Sequence, residues 1–128
     1  MRYLIVFLAL SLGLDACASS SRNGVSRSGP NLIVTRELTD RIFPNTYEAV
    51  RQLRPRWVRS RGPSSLQGLA YAKVYLNGAH YGGLESLRRI PVQDVAEIRF
   101  LSASDATTRF GTGHVGGIIM VITRSGPA

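Results

Sequence analysis

Gly111, Gly113 and Gly116 stand in the order G-x-G-x-x-G, the spacing that lets a backbone close on a pyrophosphate. That chemistry needs a strand before the glycines and a helix after them. Here Gly117-Ile118-Ile119-Met120-Val121-Ile122-Thr123 follows, a β-branched run with no helical pattern. The glycines are therefore expected to serve backbone geometry at a tight connection, not a cofactor. His80 and His114 are the histidines of the chain, and neither has carboxylate partners at a metal-ligand spacing. Each reads as a surface or turn residue. No nucleophile-elbow pattern occurs, and no Ser or Cys pairs with a His in a catalytic motif. The single cysteine, Cys17, excludes an internal disulfide and a multi-cysteine metal site. The expectation is a non-catalytic protein with no cofactor and no metal.

Anion chemistry is the other possibility the residue types raise. The formal net charge is +8, and fifteen of the sixteen basic residues are arginine. Such a surface attracts phosphates, lipid headgroups, nucleic acid or acidic proteins. Arg51, Arg54, Arg56, Arg59 and Arg61 crowd around Trp57. Arg54, Arg56, Arg59 and Arg61 form a candidate patch for lipopolysaccharide, a cell-wall polymer or nucleic acid. A single aromatic is thin support for a base-stacking platform, which disfavours nucleic acid. The plainer reading, which we prefer, is an exposed Arg-rich strand or loop with Trp57 packed into the core.

The elements that must position these residues can be read in order. At 128 residues, with 44% hydrophobic content, the chain has room for one packed domain. Met1-Arg2 and the apolar run Tyr3 to Leu14 have the size of a signal-peptide core and are too short to span a bilayer. Leu14-Asp15-Ala16-Cys17 resembles a bacterial lipobox, which implies removal of residues 1–16 and acylation of Cys17. Several acyl chains would hold the protein to outer-membrane lipid, at about 0.8 kcal/mol per buried methylene. Residues 17–30 are Ser- and Gly-rich and read as a flexible tether, with the folded domain spanning 31–128.

Leu32 to Thr35 reads as a first strand, with Thr35 capping a short helix over Arg36 to Ile42. Asn45 and Glu48 have the spacing of a capping box for a helix to about Arg54, stopped by Pro55. Ala49, Val50 and Leu53 share its inward face. Gly62 to Gly68 reads as loop. Tyr71 to Leu76 alternates, with Ala72, Val74 and Leu76 on one side and Tyr71, Lys73 and Tyr75 on the other. Asn77-Gly78 predicts a type I′ turn, with Ala79, His80 and Tyr81 returning antiparallel. A short helix over Leu84 to Arg88 follows. Val95 to Leu101 alternates again, burying Ala96, Ile98 and Phe100. Ser104-Asp105 predicts a cap for one helical turn over Ala106 to Arg109, ended by Gly111.

The run from Asp94 to Arg124, DVAEIRFLSASDATTRFGTGHVGGIIMVITR, resembles the C-terminal half of the plug domain of TonB-dependent outer-membrane receptors. The features are an aspartate-led strand, a small-residue helix, Phe110-Gly111, Gly116-Gly117 and a β-branched strand closing in Thr123-Arg124. Val74-Tyr75-Leu76-Asn77-Gly78 is similar to a second plug motif, and a looser likeness runs back to about Asn31. The resemblance implies an α+β fold, a small mixed sheet of four or five strands with short helices. Together with the lipobox it implies a lipid-anchored, periplasm-facing binding or assembly module of the outer membrane, associated with receptor or transport machinery. Its partners would be a β-barrel receptor, a TonB-like protein or a ligand. A barrel needs at least about eight strands of about 9–11 residues, and the chain has no such set. The candidate contacts are Asn77, Gly78 and Tyr81 on the hairpin, and Arg109, Phe110, Gly111 and His114 on the connection.

Overall fold

The computed structural model describes residues 28–65 and 68–126. The signal segment, the lipobox with Cys17 and most of the tether lie outside the described residues. The fold is α+β, a five-stranded mixed sheet with short helices. The strands of the main sheet are β1 (Leu32–Val34), β4 (Lys73–Leu76), β5 (Ala79–Gly82), β6 (Val95–Leu101) and β7 (Ile118–Thr123). Two short strands, β2 (Pro63–Ser65) and β3 (Gly68–Leu69), pair where a loop was predicted. The helices are α1 (Thr35–Thr39), α2 (Thr46–Leu53) and α3 (Ala103–Phe110), with short 3-10 segments at Pro55–Val58, Leu84–Arg89 and Val92–Asp94.

Strand order is β1-β6-β7-β4-β5, antiparallel everywhere except between β4 and β7. The largely apolar β7 lies at the centre of the sheet, where a strand must be covered on both faces. Ile118, Ile119 and Val121 are fully buried. The Asn77-Gly78 turn forms as predicted, with φ of 49° and 88°.

The register assigns the two faces. One face carries Ile33, Ala72, Val74, Ile98, Phe100, Ile119 and Val121. Ala49 and Val50 of α2, Trp57, and Leu87 of the 84–89 turn close over it. Fully burying one such aliphatic side chain contributes about 1.5–3 kcal/mol, so this layer holds most of the fold's hydrophobic stabilisation. A register shift between Val95 and Glu97 turns Val95 into the same layer, so the strand's alternation fails at its first residue. The opposite face carries Tyr75, Leu101 and Ile118, covered by Ala106 and Phe110 of α3.

Local caps differ from the sequence reading in two places. Thr35 does not cap α1: Val34 occupies the N-cap position without a side-chain cap, and the Thr35 hydroxyl donates to Ala96 O on β6. The strand neighbour competes for the hydroxyl more effectively than the helix. Ser102, not Ser104 or Asp105, caps α3, so that helix is longer than one turn. Asn45 caps α2 as expected, its Oδ1 accepting from Glu48 N at 3.0 Å. The Glu48 carboxylate turns instead to Arg51 at 2.7 Å and Arg88 at 3.6 Å. Buried Thr46 donates its hydroxyl to Ile90 O at 2.7 Å, tying α2 to the segment before β6. No helix among the described residues is long and apolar enough to cross a membrane.

Candidate functional site

The Gly-rich connection is set by how close three backbones must come. Gly111 ends α3 at φ 84°, donating its N–H to Thr107 O at 2.9 Å. A Cβ on Gly116 would sit 2.1 Å from Tyr71 O, inside the backbone leading to β4. Gly117 has φ 83°, and a Cβ there would lie 2.6 Å from Leu101 O. The pair threads between the start of β4 and the end of β6 so that β7 can form between them. Strand β7 follows the glycines, and the amide of Gly117 donates to His114 O at 2.8 Å. The G-x-G-x-x-G spacing thus serves packing in this fold, as the sequence reading expected.

Tyr75 is the hub of the α3 face, and sequence reasoning gave it no role. Its hydroxyl lies 2.9 Å from His114 Nε2, with both residues buried. His114 Nδ1 lies 2.9 Å from Gly111 O. A carbonyl only accepts, so in the neutral ring Nδ1 carries the proton and Nε2 accepts from Tyr75. The ring therefore latches the connection to the sheet. Phe110 packs on Tyr75 with centroids 4.6 Å apart, and the exposed His80 ring meets it edge-on at 5.4 Å. His114 does lie in a turn, but only 5% exposed, because Tyr75 supplies a hydrogen bond inside the layer. The one signal was the hydroxyl: Tyr75 falls on the strand face opposite Ala72 and Val74, beside Lys73.

The two sets of candidate contacts lie at different ends of β4. Asn77-Gly78 sits beside the end of β7, where Asn77 is tied down. Asn77 Oδ1 accepts from Thr123 N at 3.0 Å, and Asn77 Nδ2 donates to Thr123 Oγ1 at 2.9 Å. Arg109, Phe110, Gly111 and His114 lie at the other end, where β4 and β7 begin. Strand β5 runs back toward that end and leaves Tyr81 40% exposed on a sheet edge. Val115 and Tyr71, 54% and 48% exposed, flank the Gly116 crossing.

The arginine run divides in two. Arg54 is turned inward, donating to Gly29 O, Leu32 O and Leu53 O and pairing with Glu37 at 3.0 Å. It staples the end of α2 to β1 and α1. Arg51 pairs with Glu48. Arg56, Arg59 and Arg61 remain exposed around Trp57, which is 2% exposed and stacks on Phe100. The packed tryptophan agrees with the plainer sequence reading. Across the molecule Arg88 lies over the Tyr47 ring at 4.1 Å, its guanidinium held above its ordinary value by the Glu85 hydrogen bond. Among the described residues no cluster of His, Cys, Asp and Glu could hold a metal ion. Comparison with family models, with curated proteins and with solved structures gave no match.

Proposed function

We propose that this chain is a lipid-anchored docking module at the periplasmic side of the outer membrane, similar to a free-standing receptor plug. Cys17 carries the acyl chains, and the domain binds or helps assemble an envelope protein. The supporting observation is the order strand, small-residue helix, Gly-rich crossing and β-branched strand over 95–123, the same order of features on which the likeness to a plug rests. A second support is that β5, among the described residues, forms an edge of the sheet, and such an edge offers a template for a partner strand. Exposed Tyr81 lies on that edge, and exposed Val115 lies at the Gly116 crossing. The partner class that fits is an outer-membrane β-barrel or a TonB-like protein.

Two measurements test the reading. Fatty-acid label should enter the wild-type protein and be absent from Cys17→Ala; label in neither would remove the anchor. A tagged protein recovered from membranes should bring down a barrel receptor or a TonB-like protein. Recovery of the tagged protein with no envelope protein would remove the docking role.

A further inference from the structure

At the end of the sheet away from the β5 edge, the fold gathers cations around a hollow. Trp57 and Phe100 stack with centroids 5.6 Å apart and form its floor. The hollow measures about 260 Å³ and is rimmed by Asn31, Arg56, Arg59, Ser60 and Arg61. The four glutamates are paired elsewhere. Glu37 pairs with Arg54, Glu48 with Arg51 and Arg88, Glu85 with Arg88, and Glu97 with Arg99. Among the described residues no carboxylate lies within ion-pair distance of Arg56, Arg59 or Arg61. Three like charges facing one small space repel one another, and a bound anion would relieve that repulsion through charge-assisted hydrogen bonds.

The rim is also partly held in place before any ligand arrives. Arg61 sits over the Phe100 ring, 4.9 Å from its centroid. Asn31 is fixed by its backbone, whose carbonyl accepts from Phe100 N at 2.9 Å. A side chain already fixed loses less entropy on binding. On the other side of Asn31 a larger cleft of about 660 Å³ adds Arg99, Arg109 and Asp105 to apolar walls of Pro30, Leu32 and Leu101. Small-molecule pockets usually span about 300–1,000 Å³, so the smaller hollow suits a headgroup-sized anion better than a polymer strand.

We infer that this hollow binds a phosphoryl group, as a phosphomonoester or a diphosphate, with Arg56, Arg59 and Arg61 neutralising it and Asn31 and Ser60 as polar partners. Arg51 and Arg54, adjacent in sequence, take no part because Glu48 and Glu37 hold them. The site is independent of the docking role, since none of its residues lies on β5 or the Gly-rich connection.

Trp57 is the chain's single tryptophan and reports directly on the hollow. The purified full chain is titrated with inorganic pyrophosphate at low ionic strength while its fluorescence is followed. In a second arm the protein made without residues 1–17, and so without acyl chains, is sedimented with phosphatidylcholine vesicles with and without phosphatidic acid. Saturable binding that weakens as sodium chloride is added is expected. Arg56→Gln/Arg59→Gln should weaken binding about tenfold or more, as loss of two charge-assisted contacts requires. Arg89→Gln/Arg124→Gln removes the same charge outside the hollow and should change affinity less than about twofold. Saturation by pyrophosphate assigns a free phosphate; retention only on phosphatidic acid vesicles, lost in the same variant, assigns a lipid headgroup. No binding to either probe, or equal losses in the two double variants, overturns the site. All four positions are exposed, so unchanged thermal melting confirms that affinity and not folding is being read.

Discussion

The two faces of the sheet are built to different standards. One is closed by α1, α2 and two 3-10 turns over a continuous layer from Ile33 to Leu87. Among the described residues the other is covered by α3, with a smaller cluster and a tyrosine–histidine hydrogen bond where the first face has aliphatic packing. Close-packed aliphatic layers resist any change in volume. A thinly covered face with polar latches can open or accept a neighbour at lower cost. The difference teaches where stability resides and where a partner can be met.

The largest effect should come from the seam between the faces. Gly116→Ala drives a Cβ into the Tyr71 carbonyl and should cost about 4 kcal/mol or more, enough to abolish folding. Circular dichroism would show it, and a native-like melt would mean that the crossing is looser than described. On the dense face, Leu87→Ala leaves a hole in a fully buried site and should cost about 3 kcal/mol by denaturant titration. Arg54→Ala removes a staple with four acceptors and should cost about 2 kcal/mol, whereas Arg56→Ala should stay within about 0.5 kcal/mol. Equal costs would contradict the division of the arginine run. On the thin face, Tyr75→Phe leaves His114 Nε2 without its donor and should cost about 1–2 kcal/mol. A cost near that of Leu87→Ala would mean the two faces are equally rigid.

The sheet was legible because its strands carry period-two patterning and its hairpin carries Asn77-Gly78. The helix caps were less so. Thr35 and Ser102 are both good capping residues, but Thr35 meets Ala96 O, sixty-one residues away, while Ser102 meets only its own helix. Local spacing cannot register the first kind of partner. The same limit hid the role of Tyr75, whose partner His114 comes from a segment that reads as turn. Composition showed an arginine run beside Trp57 but not that Glu37 and Glu48 would remove Arg54 and Arg51 from it. Nor could it place Asn31 at the rim, because only the pairing of β1 with β6 brings that residue to Phe100.

The docking role is tested most directly by position-specific photo-crosslinking in intact cells. A photoreactive residue at Tyr81 or Val115 should give adducts to one envelope protein, and the same residue at Gln52, on the exposed side of α2, should give none. Adducts from Gln52 with silence at Tyr81 and Val115 would contradict the account.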